Sequence, residues 1–203
     1  MKVKDLGLIS VLEAQKLQIE EREKIFEGRS QGCIFICEHP HTVTLGRKLE
    51  KQASKYRSFL PQEIEVVPLN RGGEATYHGP GQIVVYPVFS LFEKKMSVKE
   101  YIATLENGVI NFLKNYGIKA YSNPEHRGVW VQDQKILSLG VHISRGVSIH
   151  GIALNVNCNL KYFSYFEPCG LCHTQITSMK EVLRGEVDFM DIKRQIIETF
   201  SSW

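Results

Sequence analysis

The sequence predicts an α+β fold, and three observations carry that prediction. Short β-branched runs recur from Gly32 to Phe89 and again from Gly128 to Val156, two Ser-x-x-Glu capping boxes open amphipathic stretches, and the tail reads as helical. Neither an internal repeat nor a low-complexity linker divides the chain, so residues 1–203 are expected to form a single domain.

In chain order, Ser10-Val11-Leu12-Glu13 opens a helix running toward Gly28, because the serine hydroxyl and the glutamate carboxylate satisfy exposed amides at its first turn. Gly32 to Glu38 (GCIFICE) reads as a buried strand. Thr42–Leu45, Ile64–Leu69 and Ile83–Phe89 are further short apolar runs bounded by polar or turn residues, expected to join it in one sheet. Ser97-Val98-Lys99-Glu100 starts a second helix, with Tyr101, Leu105, Val109, Phe112 and Tyr116 spaced along one face. GVWVQ from Gly128, KILSLGVHI from Lys135 and VSIHGIALNV from Val147 are linked by short turns and predict an antiparallel meander. Helices follow near Ser178–Leu183 and Asp188–Phe200, with Gly185 as the break between them.

Composition narrows the function. A chain of 203 residues with 43% hydrophobic and 23% charged residues supports a substantial core. A net charge of +3 without a dense Lys/Arg stripe argues against a nucleic-acid binder. No apolar run reaches the roughly 20 residues of a membrane span, and the start MKVKDLGLISVLEAQ is broken by charge before a signal-peptide core forms. Glu13, Glu20, Glu21 and Glu23 argue against an organellar transit peptide, so a cytoplasmic location is expected. The five cysteines, an odd number, are then expected to be reduced thiols.

Three segments have the makings of chemistry. Arg71 to Gln82 holds four glycines in twelve residues, which reads either as an elaborate hairpin loop or as a cradle whose amides face a ligand oxygen. It lacks the Gly-Lys-Ser/Thr ending of a phosphate loop. Cys169 lies between Pro168 and Gly170, a setting that suits an exposed nucleophilic thiolate, although an isolated cysteine also serves as a small buried apolar group. Lys135, at the start of a strand, either turns inward, where an ammonium lowers a thiol pKa, or is an ordinary turn lysine. Cys169-Gly170-Leu171-Cys172-His173 also spells the C-x-x-C-H pattern of covalent haem attachment, a chemistry that belongs to exported proteins. A zinc site would need further ligands, and the compact alternative, His39 and His41, flanks Pro40 at a turn, where both are read as surface or loop-packing groups.

Taken together, these segments resemble the lipoyl(octanoyl) transferases. The resemblance rests on Glu38-His39-Pro40 through Arg47, on Arg71-Gly72-Gly73 through Thr76-Tyr77-His78-Gly79-Pro80-Gly81-Gln82, on Gly128-Val129-Trp130-Val131, on the Lys135 segment, on His150-Gly151-Ile152-Ala153-Leu154-Asn155-Val156 and on Pro168-Cys169-Gly170, all in the family's order. It implies the mixed sheet and flanking helices of the biotin and lipoate protein ligases. It also implies octanoyl transfer from acyl carrier protein to a lysine of the lipoyl domains of 2-oxoacid dehydrogenase complexes and of the glycine cleavage H protein. The implied catalytic pair is Cys169, as acyl-thioester nucleophile, with Lys135 lowering its pKa and acting as general base. Arg71, Gly72, Gly73, Glu74, Ala75, Thr76, Tyr77, His78, Ser138, Leu139, Gly140, Gly151, Ile152 and Ala153 are the implied acyl-binding residues, with His78 expected near the reacting carbonyl. An acyl group that arrives as a thioester is already activated, so no ATP, metal or organic cofactor is expected. Glu74, Ala75 and His142 depart from the family's usual residues, which puts acyl preference in question more than reaction type. The alternatives are an ATP-dependent lipoate or biotin protein ligase and, more distantly, a haem- or metal-binding module built on C-x-x-C-H.

Overall fold

The computed structural model describes residues 1–166, 175–201 and 203. Its elements are β1 (Lys2–Leu8), α1 (Val11–Phe26), β2 (Cys33–Glu38), β3 (Thr42–Leu45), α2 (Ala53–Phe59), β4 (Glu65–Pro68), β5 (Ala75–His78), β6 (Gln82–Val88), α3 (Val98–Lys114), β7 (Ala120–Ser122), β8 (Val129–Val131), β9 (Gln134–Ser144), β10 (Val147–Asn155), β11 (Gln175–Ile176), α4 (Met179–Leu183) and α5 (Phe189–Ser201). Single-turn to two-turn 3-10 segments lie at Glu50–Gln52 and Leu160–Tyr165.

Both capping boxes form. Ser10 Oγ accepts the Glu13 amide at 3.2 Å and Glu13 Oε2 accepts the Ser10 amide at 3.3 Å; the Ser97 and Glu100 pair repeats this at 3.2 and 2.8 Å. At α4 Ser178 Oγ accepts the Glu181 amide at 3.2 Å, and the helix stops at Arg184 in the left-handed region (φ 59°), one residue before the glycine expected to end it.

The large mixed sheet runs β1-β2-β6-β10-β9-β8-β7, with the short β11 parallel to β9. The β8–β9–β10 meander is present as the sequence predicts. The expectation of one sheet is corrected: β3 leaves β2 and pairs with β4 and β5 in a second, three-stranded sheet. Period-2 alternation marks a strand but not its partner. A second correction concerns Arg71 to Gln82, which is no simple loop, since Ala75–His78 is the strand β5.

Alternation explains the layers. Along β2, Ile34 and Ile36 pack with α3 and α5, whereas Cys33, Phe35 and Cys37 pack toward α1. Along β6, Ile83 and Val85 take the first face while Val84, Tyr86 and Val88 take the second. A strand covered on both sides is apolar throughout, which is why GCIFICE shows no polar alternation. Tyr101, Leu105, Val109 and Phe112 of α3 are buried, as their spacing predicts. Among the described residues no helix is long and apolar enough to cross a membrane.

Candidate active site

A cleft opens between the inner segment of the small sheet and the β9–β10 hairpin. It is lined by Leu69, Arg71, Gly73, Thr76, His78, Val84, Tyr86, Ser138, Leu139, Gly140, His150, Gly151, Ile152 and Ala153, and encloses about 460 Å³ of empty space, its open mouth included. β9 and β10 face each other here as Gly140↔Gly151, Leu139↔Ile152 and Ser138↔Ala153, so two separate sequence segments form one wall. Gly151 faces β6 so closely that a Cβ would overlap the Val85 carbonyl oxygen.

Arg71 is buried and works as a brace. Its guanidinium donates to Thr44 O at 2.7 Å, Thr44 Oγ1 at 2.8 Å, Glu74 O at 2.8 Å and Gly72 O at 2.9 Å, holding the 71–74 turn open around the cleft. The Gly72 amide donates to Val141 O at 3.0 Å and ties that turn to β9. Of the remaining implied acyl-binding residues, Gly72 faces a neighbouring cleft, Glu74 pairs with Lys48 at 3.0 Å, and Ala75 and Tyr77 face the core of the small sheet. Strand alternation through β5 is the reason: Thr76 and His78 point one way and Ala75 and Tyr77 the other.

His78 is buried at the cleft wall. The carbonyl of the Gln82 side chain is 2.7 Å from Nδ1, while the Gln82 amide group donates to Tyr77 O and Asn155 Oδ1, so His78 carries its proton on Nδ1. Nε2 then accepts from Thr44 Oγ1 at 3.3 Å. Burial pushes the His78 pKa down to about 3, leaving a neutral ring with both nitrogens engaged inside the protein.

Of the surface and loop-packing readings, His39 takes the second. It is fully buried, donates from Nδ1 to Ile9 O at 2.6 Å and accepts the Tyr86 hydroxyl on Nε2 at 2.7 Å, which aims the tyrosine that lines the cleft. Burial lowers its pKa to about 4. His41 stays near the surface as a packing group, stacked on Tyr77, tilted against Tyr162 and hydrogen bonded to the Tyr77 hydroxyl at 2.6 Å.

Lys135 is buried, but in a second cleft that shares Gly73, Leu139 and Gly140 with the first and adds Lys48, Gly72, Ile102, Glu125, His126, Arg127 and Val141. Its ammonium sits 5.7 Å from the centre of the Trp130 ring, whose Nε1 is fixed to His126 O at 2.9 Å. Gly128 (φ 127°) forms the opposite wall, where a Cβ would stand 2.6 Å from Lys135 Cε. Cys169, with Cys172, His173 and the rest of 167–174, lies outside the described residues. The thiols of Cys33, Cys37 and Cys158 are buried, and burial raises the pKa of each, Cys158 to about 12, so none of these three is a thiolate at neutral pH. Among the described residues no cluster of His, Cys, Asp and Glu is arranged to hold a metal.

Residue-level reading of the sequence missed Leu69, Val84, Tyr86 and His150 as cleft residues. Val84 and Tyr86 were accessible through the period-2 alternation of β6. His150 was not, because it adopts a left-handed conformation (φ 60°) within a strand, its amide taken by Gln18 Oε1 from α1 at 2.7 Å. Its Nε2 is buried without a hydrogen-bond partner among the described residues.

Comparison with known proteins assigns this architecture. Residues 11–201 match the family model of the lipoyl protein ligase A/B catalytic domain. The chain belongs to that family. It is 44% identical to the octanoyltransferase of Syntrophobacter fumaroxidans over 95% of this chain and 85% of that protein. A bipartite lipoate protein ligase from Thermoplasma acidophilum superposes with a TM-score of 0.73 at 16% identity, over 100% of this chain and 83% of that one. The biotin protein ligase of Aquifex aeolicus gives 0.54 at 14% identity, over 100% and 68%. Both structural likenesses, at such low identity, speak for the expected fold, a mixed sheet flanked by helices.

Proposed function

We propose that this chain is an octanoyltransferase of protein lipoylation, taking octanoyl from acyl carrier protein and delivering it to a lysine of lipoyl domains. The observation that carries the reading is the pairing of a mostly apolar cleft with a buried lysine in the adjoining cleft, in a chain 44% identical to an octanoyltransferase. Leu69, Val84, Leu139, Ile152 and Ala153 offer an acyl chain an apolar wall, where each buried methylene is worth about 0.8 kcal/mol.

In the proposed chemistry the Cys169 thiolate attacks the carrier thioester carbonyl and the tetrahedral oxyanion is held by backbone amides. As it collapses, the carbon–sulfur bond to the carrier breaks and Lys135 passes its proton to the departing thiolate. The acceptor amine then attacks the octanoyl-Cys169 thioester, neutral Lys135 takes the amine proton, and the bond to Cys169 breaks to leave an amide. The donor is already activated, so ATP plays no part. With His78 neutral and both its nitrogens engaged, its role here is to shape the cleft wall.

The test is transfer of octanoyl from octanoyl-acyl carrier protein to a lipoyl domain without nucleotide. Product under those conditions supports the reading. Product from free octanoate that appears only with Mg-ATP makes the chain a ligase, and a Soret band or stoichiometric zinc would point to the C-x-x-C-H alternative.

A further inference from the structure

Lys135 stands in a slot whose rear is built by a residue with no part in the chemistry above. Glu106, on α3, is buried although nothing in a helix interior demands a carboxylate there. Its Oε1 accepts the Gly128 amide at 2.9 Å, and its Oε2 lies 4.0 Å from the Arg127 guanidinium. Gly128 holds φ at 127°, a conformation L side chains rarely adopt, and a Cβ there would stand 2.3 Å from the Leu137 carbonyl oxygen, 2.6 Å from Lys135 Cε and 3.4 Å from Nζ. The strained peptide therefore forms the wall along which the lysine side chain runs, opposite the Trp130 ring. A buried carboxylate is costly unless it is hydrogen bonded and paired, and this one is engaged by the Gly128 amide that shapes the slot and by the Arg127 guanidinium beside it. The charged and titratable groups around the slot are Glu106 from α3, Glu125, His126 and Arg127 from the β7–β8 connection, Lys48 from beyond β3, and Lys135 itself.

We infer that Glu106 is a positioning residue for the transfer reaction, fixing the Gly128 peptide so that the ammonium of Lys135 is held at the reacting thioester. The inference rests on the proposed role of Lys135. Acting through the Gly128 peptide, Glu106 should lower kcat when lost and leave KM for the octanoyl donor nearly unchanged.

Three variants test this, each first checked for its thermal transition so that rates are compared on folded protein. Glu106→Ala should lower kcat about tenfold or more, and Gly128→Ala, which fills the slot, at least as far. Glu106→Gln keeps an acceptor oxygen for the Gly128 amide and should restore most of the loss. Equal losses in Glu106→Gln and Glu106→Ala, or a folded Glu106→Ala with wild-type kcat, overturn the inference. Lys135→Ala separates the two layers. If Lys135→Ala is strongly impaired while folded Glu106→Ala keeps the wild-type kcat, the positioning role alone fails; if Lys135→Ala transfers at the wild-type rate, the lysine's role fails and takes the inference with it.

Discussion

At the scale of single residues, three histidines decide how the cleft responds to acid. His39, His78 and His150 are buried and neutral, with pKa values pushed by burial to about 4, 3 and 3. In the unfolded chain each titrates near 6.5, so between about pH 6.5 and 4 the unfolded state binds more protons than the folded one. Their contribution to stability is complete above pH 6.5 and is lost as the pH falls toward the folded values, each imidazole adding up to about 1.4 kcal/mol per pH unit. Urea midpoints measured from pH 7.5 down to 4.5 should fall steadily, and a flat profile would contradict the burial of these rings. At the same scale, Lys135→Ala should slow octanoyl transfer by about 10²–10⁴-fold, the range of a lost general acid–base group, in a steady-state assay.

Elements explain why those residues sit where they do. α3 begins at the Ser97 and Glu100 capping box and carries Glu106 to the rear of the lysine slot. Ser97→Ala should cost about 1 kcal/mol and lower the melting temperature by roughly 2–4 °C, read by calorimetry. β10 approaches β6 through Gly151, where any side chain would overlap Val85 O. Gly151→Ala should destabilise the protein by about 1–3 kcal/mol and narrow the cleft proposed to hold the acyl chain, seen as a lower denaturant midpoint together with weaker use of the octanoyl donor. Capping boxes, the apolar spacing along α3 and the β8–β10 meander were legible in the sequence because each is encoded by neighbours a few residues apart. His150 and His39 were not. The first takes an unusual backbone angle held by Gln18 from another element, and the second is buried by contacts with Ile9 and Tyr86, remote in sequence.

For the whole molecule, sequence alone pointed to α+β class, but not to the division into two sheets, since strand pairing depends on residues far apart in the chain. That division matters to function. The cleft lies where β5 and the Arg71 turn of the small sheet meet the β9–β10 hairpin of the large one, and Lys135, also on β9, lines the adjoining cleft. The Arg71 segment, the Ser138 segment and the Gly151 segment were each named from the sequence as acyl-binding, and the fold brings all three to one cavity while turning Glu74, Ala75 and Tyr77 away from it.

The central proposal, a covalent relay through Cys169 assisted by Lys135, is tested most directly by intact mass spectrometry after incubation with octanoyl-acyl carrier protein. The account predicts one octanoyl increment, mapped to Cys169, absent from Cys169→Ala and discharged when a lipoyl domain is added. A Cys169→Ala protein that still transfers octanoyl at the wild-type rate, or an increment that the lipoyl domain cannot remove, would contradict it.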